Sequence, residues 1–230
     1  MRDAVVKILV YLGMYKPIVD FVNRIKFTIQ ARRMKRDGLS MLEAADKALS
    51  RMGTRPFLAF GTLLGAYREH GFISYDPDID LGVLDTELPA DLHEQMAKEG
   101  FLLIRQNYVG STGTVIEETY LYNKLHLDIF IFFREGNDLY CSVQQKHEYK
   151  EWKEANNSDG FPCEQCYVPY CDLERRDFMG LNVYMPVDTD GWLRALYSDS
   201  YMTPIKNWTQ KDTKTRRVMG KERSYRKYFS

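Results

Sequence analysis

Asp76, Asp78 and Asp80 stand at alternate positions, and the last two open the apolar run from Ile79 to Leu84. A strand points alternate side chains the same way, so Asp78 and Asp80 share one face while Ile79 and Leu81 turn into the core. Carboxylates this close repel one another unless a cation sits between them. An all-oxygen donor set suits Mg²⁺ or Mn²⁺, which keep some waters and take remaining ligands from substrate phosphates. A second segment, Lys124 to Phe133, reads as a strand whose alternation puts Lys124, His126 and Asp128 on one face. Asp128 is flanked by Leu127, Ile129 and Phe130, and a charge there is costly to bury without a partner. Carboxylates converging from two strands commonly supply a metal site for phosphoryl transfer. Asp78, Asp80 and Asp128 are therefore the candidate catalytic residues, and the same three with Asp76 are the candidate metal ligands.

Upstream, Gly61 and Gly65 flank a turn whose backbone N–H groups are candidates to cradle phosphate at a helix N-terminus. The spacing is not that of a P-loop, since no Gly-Lys-Ser/Thr follows. Cys163, Cys166 and Cys171, with Cys141 or His147 upstream, are an incomplete candidate set for structural Zn²⁺, set against reduced cysteines with no ligand role.

Elements that position these residues can be read along the chain. Residues 4–36 have helical spacing, interrupted near Gly13 or Pro17, with Ile18, Phe21, Val22, Ile25 and Ile29 on one side. Arg24, Lys26, Arg32, Arg33, Lys35 and Arg36 lie on or near the other, the pattern of a helix on an anionic membrane or of one docked on its own domain. Asp37-Gly38 reads as a break, and Ser40 with Glu43 as a capping box opening a second helix to about Met52. Strands are expected at 56–60, 79–84, 101–108, 114–123, 124–133 and 183–186, and helices at 62–70, 89–98 and 191–197. After Gly136 the chain reads as irregular and aromatic, with Tyr140 to Tyr170 equally suited to an acceptor cleft or a core. These assignments describe an α/β domain over residues 38–205, a basic amphipathic helical extension over 1–37 and a polar, basic tail over 206–230.

In the stretch from Gly61 to Asp80 the sequence resembles the LicD/fukutin family of phosphotransferases. Gly61-Thr62-Leu63-Leu64-Gly65 and Arg68 match its first motif, Tyr75, Asp76, Asp78 and Asp80 its second, and Asp128-Ile129-Phe130 its third. Trp192 to Tyr197 and Tyr201 to Pro204 are similar to its C-terminal segment. Phe60 stands where the family usually has glycine, Pro77 where another Asp is common, and Ser198 and Tyr201 replace the usual Gly and Trp. The resemblance implies an α+β fold of the polymerase-β-like nucleotidyltransferase type, a mixed sheet flanked by helices. It implies metal-dependent transfer of an alcohol phosphate, such as phosphocholine or ribitol phosphate, from a CDP-activated donor to a glycan or lipid-linked glycan hydroxyl, in cell-surface polysaccharide or glycoconjugate modification. It implies a donor side formed by Gly61, Thr62, Gly65 and Arg68, with Arg68 on the donor phosphate; Lys124 and His126, which share the face of Asp128, are further candidates for the same pocket, set against a surface role.

Composition frames these expectations. With 230 residues, 44% of them hydrophobic, 16 Tyr and 12 Phe, the chain can build a substantial core and is not of the disordered class. Net charge is zero, but residues 1–37 carry nine Lys/Arg against three Asp/Glu and residues 204–230 nine against two. The centre is accordingly acidic between basic ends. The apolar start, broken by Lys7, is neither signal peptide nor span, which points to a cytoplasmic protein, peripheral on the membrane if the helix touches lipid. Two other functions remain open: nucleotidyl transfer from an NTP, and nucleic-acid binding through the basic ends. The basic segments lack a recognisable binding motif, so no nucleic-acid partner is expected.

Overall fold

A computed structural model describes residues 14–145, 156–204 and 212–229. Helix α1, Tyr15–Arg51, is continuous and about 55 Å long at 1.5 Å per residue. Pro17 lies in its first turn, where a missing N–H costs nothing because that group has no intrahelical partner. The expected break at Asp37-Gly38 is absent, and Ser40 is an exposed mid-helix residue rather than a cap. The reason is packing. Met34, Met41, Leu42, Ala45, Ala48 and Leu49 form one buried stripe, and Gly38 lies in it, against Met34 and Phe72. The contact energy of that stripe outweighs the low helix propensity of a glycine, about 1 kcal/mol. The segment before residue 14, including the expected interruption at Gly13, lies outside the described residues.

Beyond α1 come β1 (Phe57–Leu58), α2 (Phe60–Arg68), β2 (Asp78–Leu84), a 3₁₀ turn (Asp85–Glu87), α3 (Leu92–Lys98), β3 (Leu102–Val109), β4 (Val115–Tyr122) and β5 (Leu125–Glu135). These agree with expectation to within a few residues, except that Gly61 lies inside α2 instead of ending a strand. The region read as irregular after Gly136 holds β6 (Asp138–Gln144), β7 (Phe161–Pro169) and β8 (Leu173–Phe178), and the strand expected at 183–186 is β9 (Leu181–Pro186). Helix α4 spans Thr189–Tyr197, its N-cap Asp188 accepting from Gly191 N at 3.0 Å. The region expected to be a polar tail contains β10, Arg216–Tyr228, the longest strand described.

The ten described strands form one mixed sheet in the order β4-β3-β10-β7-β6-β5-β2-β1-β9-β8, with β4 also paired to β5. One edge of β5 holds β2, parallel, from His126 to Phe132. Its other edge holds β4 along Leu125 to Phe130 and then β6 along Phe132 to Glu135. The sheet therefore forks at β5, and strands β5, β4, β3, β10, β7 and β6 close a ring. On the opposite side, Phe57, Phe132 and Trp192 pack edge-on or stacked with centroids 5.1 to 5.7 Å apart, joining β1, β5 and α4. Edge-to-face aromatic contacts of this kind add to what burial alone contributes. The mixed α/β class is as expected.

Candidate active site

Parallel pairing sets the heart of the site. Asp78 is in register with His126 and Asp80 with Asp128, so the two carboxylate strands present their acids on the same face, side by side. Strand β2 is held there from below by α2. The Asp80 N–H donates to Thr62 Oγ1 at 2.9 Å, the Ala59 N–H to Asp80 O at 3.1 Å, and the Gly61 N–H to Asp80 Oδ2 at 3.2 Å. The helix N-terminus thus points at Asp80, where its partial positive charge favours an anion. Gly61 is required by space: a Cβ there would lie 2.3 Å from Asp76 Oδ2. Gly61 and Thr62 consequently position Asp80, and Gly61 lies in the first turn of α2, its N–H engaged by the Asp80 carboxylate.

Gly65 and Arg68 also have structural work. A Cβ on Gly65 would meet Gly71 O at 2.6 Å, so this glycine lets α2 close against the loop that follows it. The Arg68 side chain, 8% exposed, donates to Tyr201 O at 3.1 Å and to Glu69 Oε1 at 2.9 Å, tying α2 to the segment after α4. Lys124 falls in the Asn123-Lys124 turn, with φ of +67°, and β5 begins one residue later; it is exposed and does not share the regular face expected for it. Its carbonyl accepts from Gln30 Nε2 at 3.1 Å, and the same amide donates to Pro77 O at 3.3 Å. One side chain of α1 therefore clamps the approach to β2 and the approach to β5 together.

Electrostatics mark this cluster. Burial, followed by the charges of Asp76 and its own neighbours, pushes Asp78 up to about 7. Asp128 rises to about 8 through burial and then the Glu117 charge, against the opposing pull of Arg105. Asp80 lies well above the usual carboxylate range, from burial and then Asp78, Asp76 and Asp128. Asp76 is raised by burial, tempered by its hydrogen bond with Asp78. The phenol of Tyr197, on α4, is held up by burial and by Asp80 and Asp76.

Several residues of the site escaped the sequence reading. Thr119 Oγ1 donates to Asp128 Oδ1. Arg105 Nη2 donates to Glu117 Oε1 at 2.6 Å and stands 3.6 Å from Asp128 Oδ1. Asn107 Nδ2 donates to Glu117 Oε2 at 2.7 Å. The adjacent acids Glu117 and Glu118 were a usable signal, because neighbouring strand residues face opposite sides and both cannot reach water easily. Both are buried, Glu118 against Tyr120 Oη, Gln106 and His93.

A hard divalent cation fits the donor chemistry: five carboxylates, counting Glu117, crowd one region in which Arg105 is the cation nearest Asp128, and each shifted acid is one whose negative charge lacks compensation. Among the described residues no group of three His, Cys, Asp or Glu side chains is arranged to hold an ion. The cysteines do not fit zinc in the expected way. Cys163 and Cys166 lie three apart on β7 and so face opposite sides, Cys163 with Val109 and Ile116, Cys166 in the main core. Burial pushes the two thiols up to about 11 and about 12. Cys141 is the cross-strand partner of Cys166, equally buried, while His147 lies outside the described residues.

Comparison with known proteins agrees with the motifs. Residues 53–188 match the model of the LicD/FKTN/FKRP nucleotidyltransferase domain. The chain is 27% identical over 187 residues to a Mus musculus protein named ribitol-5-phosphate transferase FKTN, an alignment covering 81% of this chain and 38% of that one. The Homo sapiens protein of the same name is 24% identical over 185 residues, 80% of this chain and 37% of its own length. An uncharacterized Rickettsia prowazekii protein, RP689, is 26% identical over 160 residues, 69% of this chain and 53% of the relative. The chain thus spans about two fifths of the length of the transferases it matches.

Proposed function

Since the chain belongs to the LicD/FKTN/FKRP nucleotidyltransferase-domain family, we propose that it transfers an alcohol phosphate from a CDP-activated donor to a hydroxyl of a glycan or lipid-linked glycan. The observation that carries this reading is the register of Asp80 with Asp128 across parallel strands, with Asp78 beside them. Asp78, Asp80 and Asp128 would hold Mg²⁺ or Mn²⁺, with Asp76 as an additional ligand. The bound cation supplies charge neutralisation at the diphosphate and at the departing CMP. The protein's own groups hold the geometry. Thr62 and the Gly61 N–H fix Asp80, and Thr119 orients one oxygen of Asp128. Asp128, in register with Asp80, would either complete the metal site or take a proton from the acceptor hydroxyl as that oxygen attacks phosphorus. Arg105 offsets the negative charge that accumulates beside it.

Helix α1 supports a second element of the reading. Ile18, Phe21, Ile25 and Ile29 recur at helical spacing and are 38 to 64% exposed, in a helix whose sequence from Tyr15 to Arg36 holds seven Lys/Arg and one Asp. That combination suits the headgroup region of an anionic membrane, the place where a lipid-linked acceptor would be met.

Calorimetric titration tests the donor. CDP is expected to bind wild type in the presence of Mg²⁺ and to lose that binding in the Asp78→Ala/Asp80→Ala variant. ATP binding with equal metal dependence and no response to CDP would replace the CDP donor with an NTP.

A further inference from the structure

Cross-strand register sets a second layer of residues behind the acids. Asp128 pairs with Thr119, Thr119 with Arg105 and Arg105 with Tyr228, one row running through β5, β4, β3 and β10. Phe130, Glu117 and Asn107 form the next row. Directly paired residues share a face, and so do residues two apart on one strand, so these side chains all stand on the surface that carries Asp128. Arg105 and Glu117 are diagonal neighbours across β3 and β4, a separation that long side chains bridge.

The Arg105 guanidinium stands between two carboxylates. Its Nη2 donates to Glu117 Oε1 at 2.6 Å and stops 3.6 Å from Asp128 Oδ1, the oxygen that Thr119 already bonds. Glu117 is fixed in turn by Asn107, a fully buried residue whose Nδ2 donates to Oε2 at 2.7 Å. Arg105 Nε has no hydrogen-bond partner, so nothing bound there opposes a swing of the guanidinium. A shift of about 1 Å would bring Nη2 from its 3.6 Å into hydrogen-bond distance of Asp128. A carboxylate paired in that way is a poor ligand, because the guanidinium takes an oxygen and sets a positive charge beside the ion.

We infer that Glu117 is a positioning residue for Asp128: anchored by Asn107, it holds Arg105 back and keeps the Asp128 carboxylate free for a divalent cation. This rests on the reading in which Asp78, Asp80 and Asp128 hold that cation. Arg105 still offsets part of the crowded charge from 3.6 Å, without claiming a ligand oxygen. The rival explanation is that Glu117 is itself a ligand, since its charge reaches both Asp128 and Asp78. Against it, both Glu117 oxygens are engaged, one by Arg105 and the other by Asn107.

Mn²⁺ binding to the whole chain, followed by calorimetry without nucleotide, separates the two in a double-mutant cycle. Glu117→Gln is expected to weaken Mn²⁺ by about tenfold or more, the scale of a charged hydrogen bond that Arg105 would take from the ion. Adding Arg105→Gln is expected to rescue it, so that the double variant binds Mn²⁺ within about threefold of Arg105→Gln alone. A merely structural role for Glu117 gives no such rescue. An equal loss in both backgrounds makes Glu117 a ligand or a plain charge and overturns the inference, as does a Glu117→Gln variant that binds like wild type. Thermal melts establish that each variant is folded. If Glu117→Gln is not, Glu117→Asp, which keeps the charge but draws it back from Arg105, goes through the same cycle under the same criteria. A wild type that binds no Mn²⁺ removes the metal reading and the inference together, whereas additive losses on a wild type that does bind it remove the inference alone.

Discussion

Single residues at this site trade stability for chemistry. Asp80 carries a charge the fold does not welcome, so Asp80→Asn is expected to abolish Mg²⁺-dependent nucleotide binding while raising the melting temperature at pH 8, measured by calorimetry and by thermal denaturation on the same preparation. The pH response of the metal-free protein follows from the same acids. Their folded proton affinities lie above the unfolded value of 3.8, with Asp78 near 7 and Asp128 near 8. The native state therefore binds more protons than the unfolded chain between about pH 4 and 8, and stability falls as pH rises through that window. Thermal melts at pH 5 and pH 8 should show the decline, and Mg²⁺ should restore most at the higher pH. Ser198 is a different case, with φ of 79° and ψ of 172°, a conformation nearly confined to glycine. Ser198→Gly is expected to stabilise by about 1 kcal/mol, read from the denaturant midpoint. That position was legible in the sequence as a departure from a glycine pattern, as was Phe60, whose φ is +39°. The acids were legible because strand alternation exposes paired charges. Arg105, Thr119 and Asn107 were not, since their partners are more than nine residues away or on other strands.

At the level of elements, legibility followed the hydrophobic pattern. β2 and β5 pack an apolar face on the core and alternate accordingly, and the reading found both. β10 buries Ser224 and half-buries Arg226 on its inward face, and its pairing with β7 shifts between Val218 and Arg223. A strand with a polar interior and an irregular register has no period-two signature, so its residues read as a tail. Helix α1 was misread for the opposite reason. Local signals at Asp37, Gly38 and Ser40 were genuine, and tertiary packing overrode them. Removing the Gln30 clamp with Gln30→Ala is expected to loosen the starts of β2 and β5 together, seen as faster amide exchange at Asp78 and His126 with little change in global stability. The exposed apolar stripe of the same helix has its own test. Replacing Ile18, Phe21 and Ile25 by Ser is expected to release the protein from sedimenting anionic liposomes, and equal partitioning of variant and wild type would remove the membrane contact.

Across the whole molecule, the sheet draws on strands far apart in the described chain, with β2 on one side of the fork and β10 part of the ring. Val109 and Ser224 are partners across β3 and β10 although most of the sheet lies between them in sequence. Pairings this distant form late, because loop closure has to precede them. A ribosome makes β10 after every other strand described here. Until it emerges, β3 and β7 each show an unpaired edge, and Arg105 waits without the neighbour that completes its row. The nascent protein must therefore pass the interval between the synthesis of β7 and that of β10 with the acidic cluster assembled on one side and the ring open on the other, a period in which chaperones rather than its own sheet would have to keep those edges apart.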